Sequence, residues 1–133
     1  MPGLLTHLSV AFAGFILVSV FSRSWKYGLA FVIGQLIPDT IKFGIPGVMF
    51  KTANFHEILS KPLFWTLNYY THHVIFWVIF CVLVFAIIFA LYKLEKISKD
   101  KFKKWLIANA IFFMSIVIHL ILDAFIIEKS YWI

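Results

Sequence analysis

The chain has 133 residues, of which 62% are hydrophobic and only 14% charged, against about 25% charged in ordinary soluble domains. A soluble domain this short has too little interior to hide so much apolar surface. Composition therefore excludes a soluble fold and points to one all-α integral membrane domain over residues 1–133. The net charge of +6 does not imply nucleic acid, because basic residues on membrane proteins set topology and meet anionic lipid head groups.

A membrane span needs about 20 apolar residues, and four segments qualify. The first is Leu4–Phe21. No basic stretch precedes it, so it is expected to stay as a span and not be removed as a signal peptide. The second starts at Trp25 and runs "WKYGLAFVIGQLIPD" into Pro38, where proline is expected to end or bend the helix. Such a broken second span needs protein or water over its irregular backbone. In the stretch Thr40–His72, Gly44, Pro46 and Gly47 punctuate the chain. Asn54 is placed there to cap a helix lying along the interface, within an outward-facing loop. The third span is His73–Tyr92, without a charge, and the fourth is Trp105–Ile127, interrupted by Asn109, His119 and Asp123. Trp25, Tyr27, Tyr69, Tyr70, Tyr92, Trp105, Tyr131 and Trp132 mark the span edges as aromatic belts. Cys81 is the lone cysteine and lies mid-span, so no intramolecular disulfide forms.

Under four spans the basic residues divide unequally. Arg23 and Lys26 follow the first span, and "KLEKISKDKFKK" after the third adds six lysines. The opposite side holds Lys42, Lys51, Lys61 and Lys129. The positive-inside rule puts the richer side in the cytoplasm, so both termini and the Thr40–His72 region are expected outside.

With that topology the ionisable residues gather at one depth. An ionised carboxylate near the bilayer centre costs roughly 2.5–3.5 kcal/mol, and such residues are functional candidates by default. Asp39 stands ~21 Å along the second span, and His119 and Asp123 stand ~21 and ~27 Å along the fourth. His7 lies near the outer end of the first span, and His72 and His73 at the outer end of the third. His119 and Asp123 share one helix face as an i,i+4 pair. His72 and His73 are expected about 100° apart on a helix, with His72 turned inward and His73 toward the interface. Histidine with aspartate suits Zn²⁺, with Mn or Fe as other first-row choices. His7, Asp39, His72, His119 and Asp123 are the candidate ligands, and Asp39 or Asp123, where not a ligand, is the candidate general base. Each has a plainer reading. His7 can be a headgroup-level polar residue, His56 a surface residue or a ligand from the loop, and His119–Asp123 a hydrogen-bonded pair joining helices. Asn109 is expected to hydrogen-bond between helices.

Four landmarks resemble, in order, the small YdjM-like inner-membrane proteins described as membrane-bound metal-dependent hydrolases, which are distantly similar to zinc-dependent phospholipase C. "THLSVAFAGFIL" resembles the family's opening histidine and apolar helix, with His7 at the histidine. "GQLIPD" resembles its Gly-x-x-x-Pro-Asp, with Asp39 at the aspartate. "YTHHVIF" resembles its Thr-His-Ser, with His72 at the histidine. "IHLILDAF" resembles its His-x-x-x-Asp, with His119 and Asp123 there. The chain departs from the pattern at Ile41 and Lys42, where the family has Asp and His after Pro-Asp-x. Leu67 and Asn68 stand where it has His-Arg, His73 replaces its serine, and its Thr-x-x-Gly after His-x-x-x-Asp is absent. The resemblance implies a divalent metal in an inner-membrane protein that hydrolyses a phosphoester or similar bond, with a lipid-like substrate.

Three other classes compete. The cluster can be a structural metal site without turnover, or polar glue in a homo-oligomer or larger assembly. Haem or ion carriage between facing histidines is opposed by two aspartates at the same depth. No glycine-rich nucleotide loop and no serine or cysteine nucleophile motif is present.

Overall fold

The computed structural model describes residues 4–125. Lys129, Tyr131 and Trp132, with Ile126 and Ile127 of the fourth expected span, lie outside the described residues. Among the described residues the chain is all-helical with short connections and no strand. The order is α1 (Leu4–Ser22), α2 (Trp25–Asp39), a π-helical turn (Thr40–Gly44), α3 (Ile45–Met49), α4 (Phe55–Leu59), α5 (Pro62–Thr71), α6 (Val74–Lys93) and α7 (Lys99–Phe125). Four stretches are long and apolar enough to cross a membrane: Leu5–Ser22, Trp25–Met49, Val74–Lys93 and Lys99–Phe125. Many of the large side chains left exposed on them are apolar, such as Leu17, Ile33, Ile79, Leu83 and Met114.

Helix α2 packs on α1 and on α7, and α7 carries α6 on another side. The α1–α2 and α2–α7 contacts depend on absent side chains. A Cβ at Gly28 would stand 2.8 Å from the Phe15 carbonyl oxygen of α1, and one at Gly34 would stand 2.5 Å from the Phe112 carbonyl oxygen of α7. Small residues let helix backbones approach this closely, and in lipid that packing is a main source of helix association. Gly34→Val is therefore expected to cost about 1–3 kcal/mol through overpacking. Cys81 is buried and is the one cysteine of the chain, so its reaction with a thiol-reactive dye on heating reports unfolding. The midpoint of that reaction should fall in Gly34→Val and stay near wild type in a control at exposed Ile33.

Pro38 sits inside α2, and the helical run goes on past it. The backbone widens into the π-helical turn and returns to α-helix as far as Met49. Proline removes one backbone donor, and the Thr40 hydroxyl donates to the Leu36 carbonyl at 2.9 Å. Single π turns inside helices occur often at functional sites, and this one carries Lys42. Beyond it, Asn54 caps α4, its side-chain oxygen accepting from the His56 N–H at 3.1 Å. Asn109 of α7 donates to the Cys81 carbonyl of α6 at 3.1 Å, the expected link between helices.

His72 and His73 do not share a helix. His72 ends α5, its N–H donating to the Asn68 carbonyl, and His73 is the extended residue just before α6. The Trp77 indole donates to the Thr71 carbonyl at 2.7 Å and holds this turn against α6. The divergence of the two imidazoles thus comes from a break in the helix and not from the 100° step along one.

Candidate metal centre

The start of α1, the end of α2, the α5–α6 turn and the end of α7 lie at one end of the bundle, away from the lysine-rich α6–α7 loop. The buried polar side chains are His7, Gln35, Lys42, Thr71, Ser115 and His119, an unusual polar load for an interior of this size. At this end, Asp39, His72, His119 and Asp123 each offer one ligand atom, all within 4.8 Å of one another. Ligand atoms of a tetrahedral site with ~2.1 Å bonds are ~3.4 Å apart, so a modest contraction would complete it.

Asp123 is the hub. Its Oδ1 accepts from His7 Nε2 at 3.2 Å, and its Oδ2 lies 2.8 Å from His72 Nε2 and 3.3 Å from His119 Nε2. Asp39 Oδ1 stands 3.9 Å from His72 Nε2 and 3.7 Å from His119 Nε2. His7 touches both carboxylates, its Nε2 being 4.0 Å from Asp39 Oδ2, yet stands outside the group of four converging donors. The Gln35 amide lies 3.2 Å from His7 Nδ1. With the amide donating, His7 carries its proton on Nε2 and passes it toward Asp123 Oδ1. The His7 ring also stacks on the His119 ring, with centroids 4.2 Å apart.

The backbone settles the tautomer of His72. Its Nδ1 lies 3.2 Å from the Asn68 carbonyl oxygen and 3.0 Å from the Thr71 hydroxyl. A carbonyl only accepts, and the Thr71 hydroxyl already donates its hydrogen to the Leu67 carbonyl at 2.8 Å. Nδ1 is therefore a protonated nitrogen, and in neutral His72 it is Nε2 that turns a lone pair into the cluster. Outer partners of this kind fix tautomer and ring orientation in metal-binding histidines.

That nitrogen lies 2.8 Å from Asp123 Oδ2 and 3.0 Å from the Lys42 ammonium, so a proton or a cation holds it against the carboxylate. Among the described residues, both nitrogens of His119 are buried without a well-formed hydrogen bond, while Asp39 Oδ1 and Asp123 Oδ2 meet the nitrogens of Lys42, His72 and His119. Buried polar atoms without partners are rare and mark strain, catalysis or an ion. The donor set of two carboxylates and two imidazoles therefore fits a divalent metal such as zinc.

Sequence reasoning counted Lys42 among the loop charges. In the structure its side chain is 0% exposed, and its ammonium lies 2.6 Å from Asp39 Oδ1 and 3.0 Å from His72 Nε2. Gln35 and Thr71 were also passed over. The signal was the stripe Gln35, Asp39, Lys42 on one helix, at i,i+4 and i,i+3 spacing. His56 lies in α4 and is not part of the cluster, and His73 packs on the Tyr69 ring at 4.2 Å. Compared with known proteins, the chain is matched by no family model, no curated protein and no solved structure.

Proposed function

We propose that this chain is a membrane-embedded, metal-dependent hydrolase of a phosphoester, with a lipid head group as the substrate class. The observation that carries the reading is the convergence of Asp39, His72, His119 and Asp123, whose ligand atoms all lie within 4.8 Å of one another, around a fully buried His119. The resemblance to the YdjM-like family supplies the reaction type. In this reading the lysine-rich loop is cytoplasmic and the termini and the site belong to the outer side of an inner membrane. The second span passes through its π-helical turn at Thr40–Gly44 within the bilayer, and α4 and α5 lie along the outer interface.

Asp39, His72, His119 and Asp123 hold the ion, and Zn²⁺ is the first choice. A bound divalent ion supplies Lewis acidity and lowers the pKa of water. The chain's own groups do the rest. Asn68 and Thr71 orient His72, and Gln35 orients His7, which steadies Asp123. Asp39 has the most exposed side chain of the cluster, at 18%, so where it does not hold the ion it is the carboxylate open to a proton from an incoming water.

A structural site without turnover is the second reading. The Lys42–Asp39 ion pair favours it, because it engages the carboxylate a base would need. One experiment separates the two. Untagged protein in detergent is assayed for metal by elemental mass spectrometry and for hydrolysis of bis(4-nitrophenyl) phosphate, before and after chelation. About one ion per chain, with turnover lost on chelation and restored by zinc or manganese, supports the hydrolase. Metal without turnover supports the structural site. Protein purified and assayed without appreciable metal sinks both.

A further inference from the structure

Lys42 is the one residue of the cluster that a metal centre does not call for. A buried ammonium costs several kcal/mol unless it is well paired. Its partners here are Asp39 Oδ1 at 2.6 Å and His72 Nε2 at 3.0 Å, with the Phe43 ring centroid 5.1 Å away. Both partner atoms belong to residues that converge as metal donors.

We propose that Lys42 is a built-in competitor for the metal, its ammonium and a divalent ion taking the same two lone pairs. The inference rests on the metal reading above. His72 has one lone pair to give, on Nε2, because Nδ1–H is held by the Asn68 carbonyl. One lone pair cannot serve two cations, so coordination by His72 expels the ammonium. Charge works in the same direction. Two carboxylates against one ammonium leave one negative charge in a buried site. A divalent ion added with Lys42 still in place leaves one positive charge at close range, a repulsion that low dielectric strengthens. Lys42 therefore steadies the carboxylates while no ion is bound, and it holds metal affinity down. A site of this kind loads only where the ion is plentiful, or where an anionic ligand arrives with it and neutralises the surplus charge.

The test is a binding isotherm for zinc and for manganese, by competition with a fluorescent chelator, on stripped, untagged protein in detergent. Wild type, Lys42→Met, Lys42→Gln and Lys42→Arg are compared, with the Cys81 dye reaction confirming that each is folded. Lys42→Met and Lys42→Gln are expected to bind both ions at least about tenfold more tightly, while Lys42→Arg stays near wild type. Wild type and the neutral variants binding equally overturns the competition and leaves the metal reading standing. A gain in Lys42→Arg as large as in the neutral variants also overturns it, since altered packing and not charge would be the cause. No binding by wild type or by any variant overturns both. No binding by wild type with clear binding by the neutral variants upholds the competition while removing the metal from the native protein's function.

Discussion

Asp123→Ala is expected to empty the centre of metal and to destabilise the fold together. Among the described residues Asp123 makes the closest approach to all three inward imidazoles: His7 at 3.2 Å, His72 at 2.8 Å and His119 at 3.3 Å, against 3.7–4.0 Å from Asp39. Its removal leaves Asp39 alone to balance Lys42 and any ion. It also leaves His7 Nε2–H and the fully buried His119 without their nearest acceptor. Breaking a buried pair by deleting one partner costs about 3–5 kcal/mol, because the other is left uncompensated. The dye reaction of Cys81 should therefore begin well below the wild-type temperature, and elemental analysis should find no retained metal. Asp123→Asn separates the two effects. The amide keeps the shape and one acceptor oxygen but not the charge, so the fold should recover much of its stability while metal retention stays poor. Asp123→Asn retaining a full complement of metal would remove Asp123 from the ligand set.

The long apolar runs made the four helices legible, since each is long enough to cross a bilayer. Polar residues stood out against that background, so His7, Asp39, His72, His119 and Asp123 could be picked out one by one, and the structure brings all five to one end of the bundle. The connections were less legible. Pro38 reads as an end or a bend, and just beyond it a π-helical turn carries the helix on to Met49. "THH" reads as the opening of a span, but His72 closes α5. Lys42 was hardest to see. Beside Gly44, Pro46 and Gly47 it reads as a loop charge, and only tertiary contact reveals that the wide turn delivers its ammonium to Asp39. Gln35 and Thr71 were missed for another reason. Their work is to orient histidines, and although Gln35 shares a helix stripe with Asp39 and Lys42, the ring that such a partner meets is set by tertiary contact.

His7→Ala distinguishes a ligand from an orienting residue. As a ligand, His7 would take the metal with it when removed, as Asp123 is expected to do. Its position argues for the other role. It stands outside the four converging donors, it is itself held by Gln35 at 3.2 Å, and its Nε2–H reaches the Asp123 oxygen that His72 and His119 do not approach. Outer partners of metal ligands weaken affinity 10–100-fold when lost, and a loss of about that size is expected for zinc in His7→Ala. Stoichiometry at saturating metal should remain that of wild type. Gln35→Leu should move affinity in the same direction through the same path, because it deprives His7 Nδ1 of its partner while leaving every donor in place. The double variant should then be little worse than His7→Ala alone, since Gln35 acts only by way of His7. Strictly additive losses would mean that Gln35 supports the centre by another route, through Ser115 of α7, whose hydroxyl lies 3.5 Å from its amide oxygen. Loss of all metal in His7→Ala at saturation would make His7 a fifth ligand, and the centre would then draw its donors from α1 as well as from α2, the α5–α6 turn and α7.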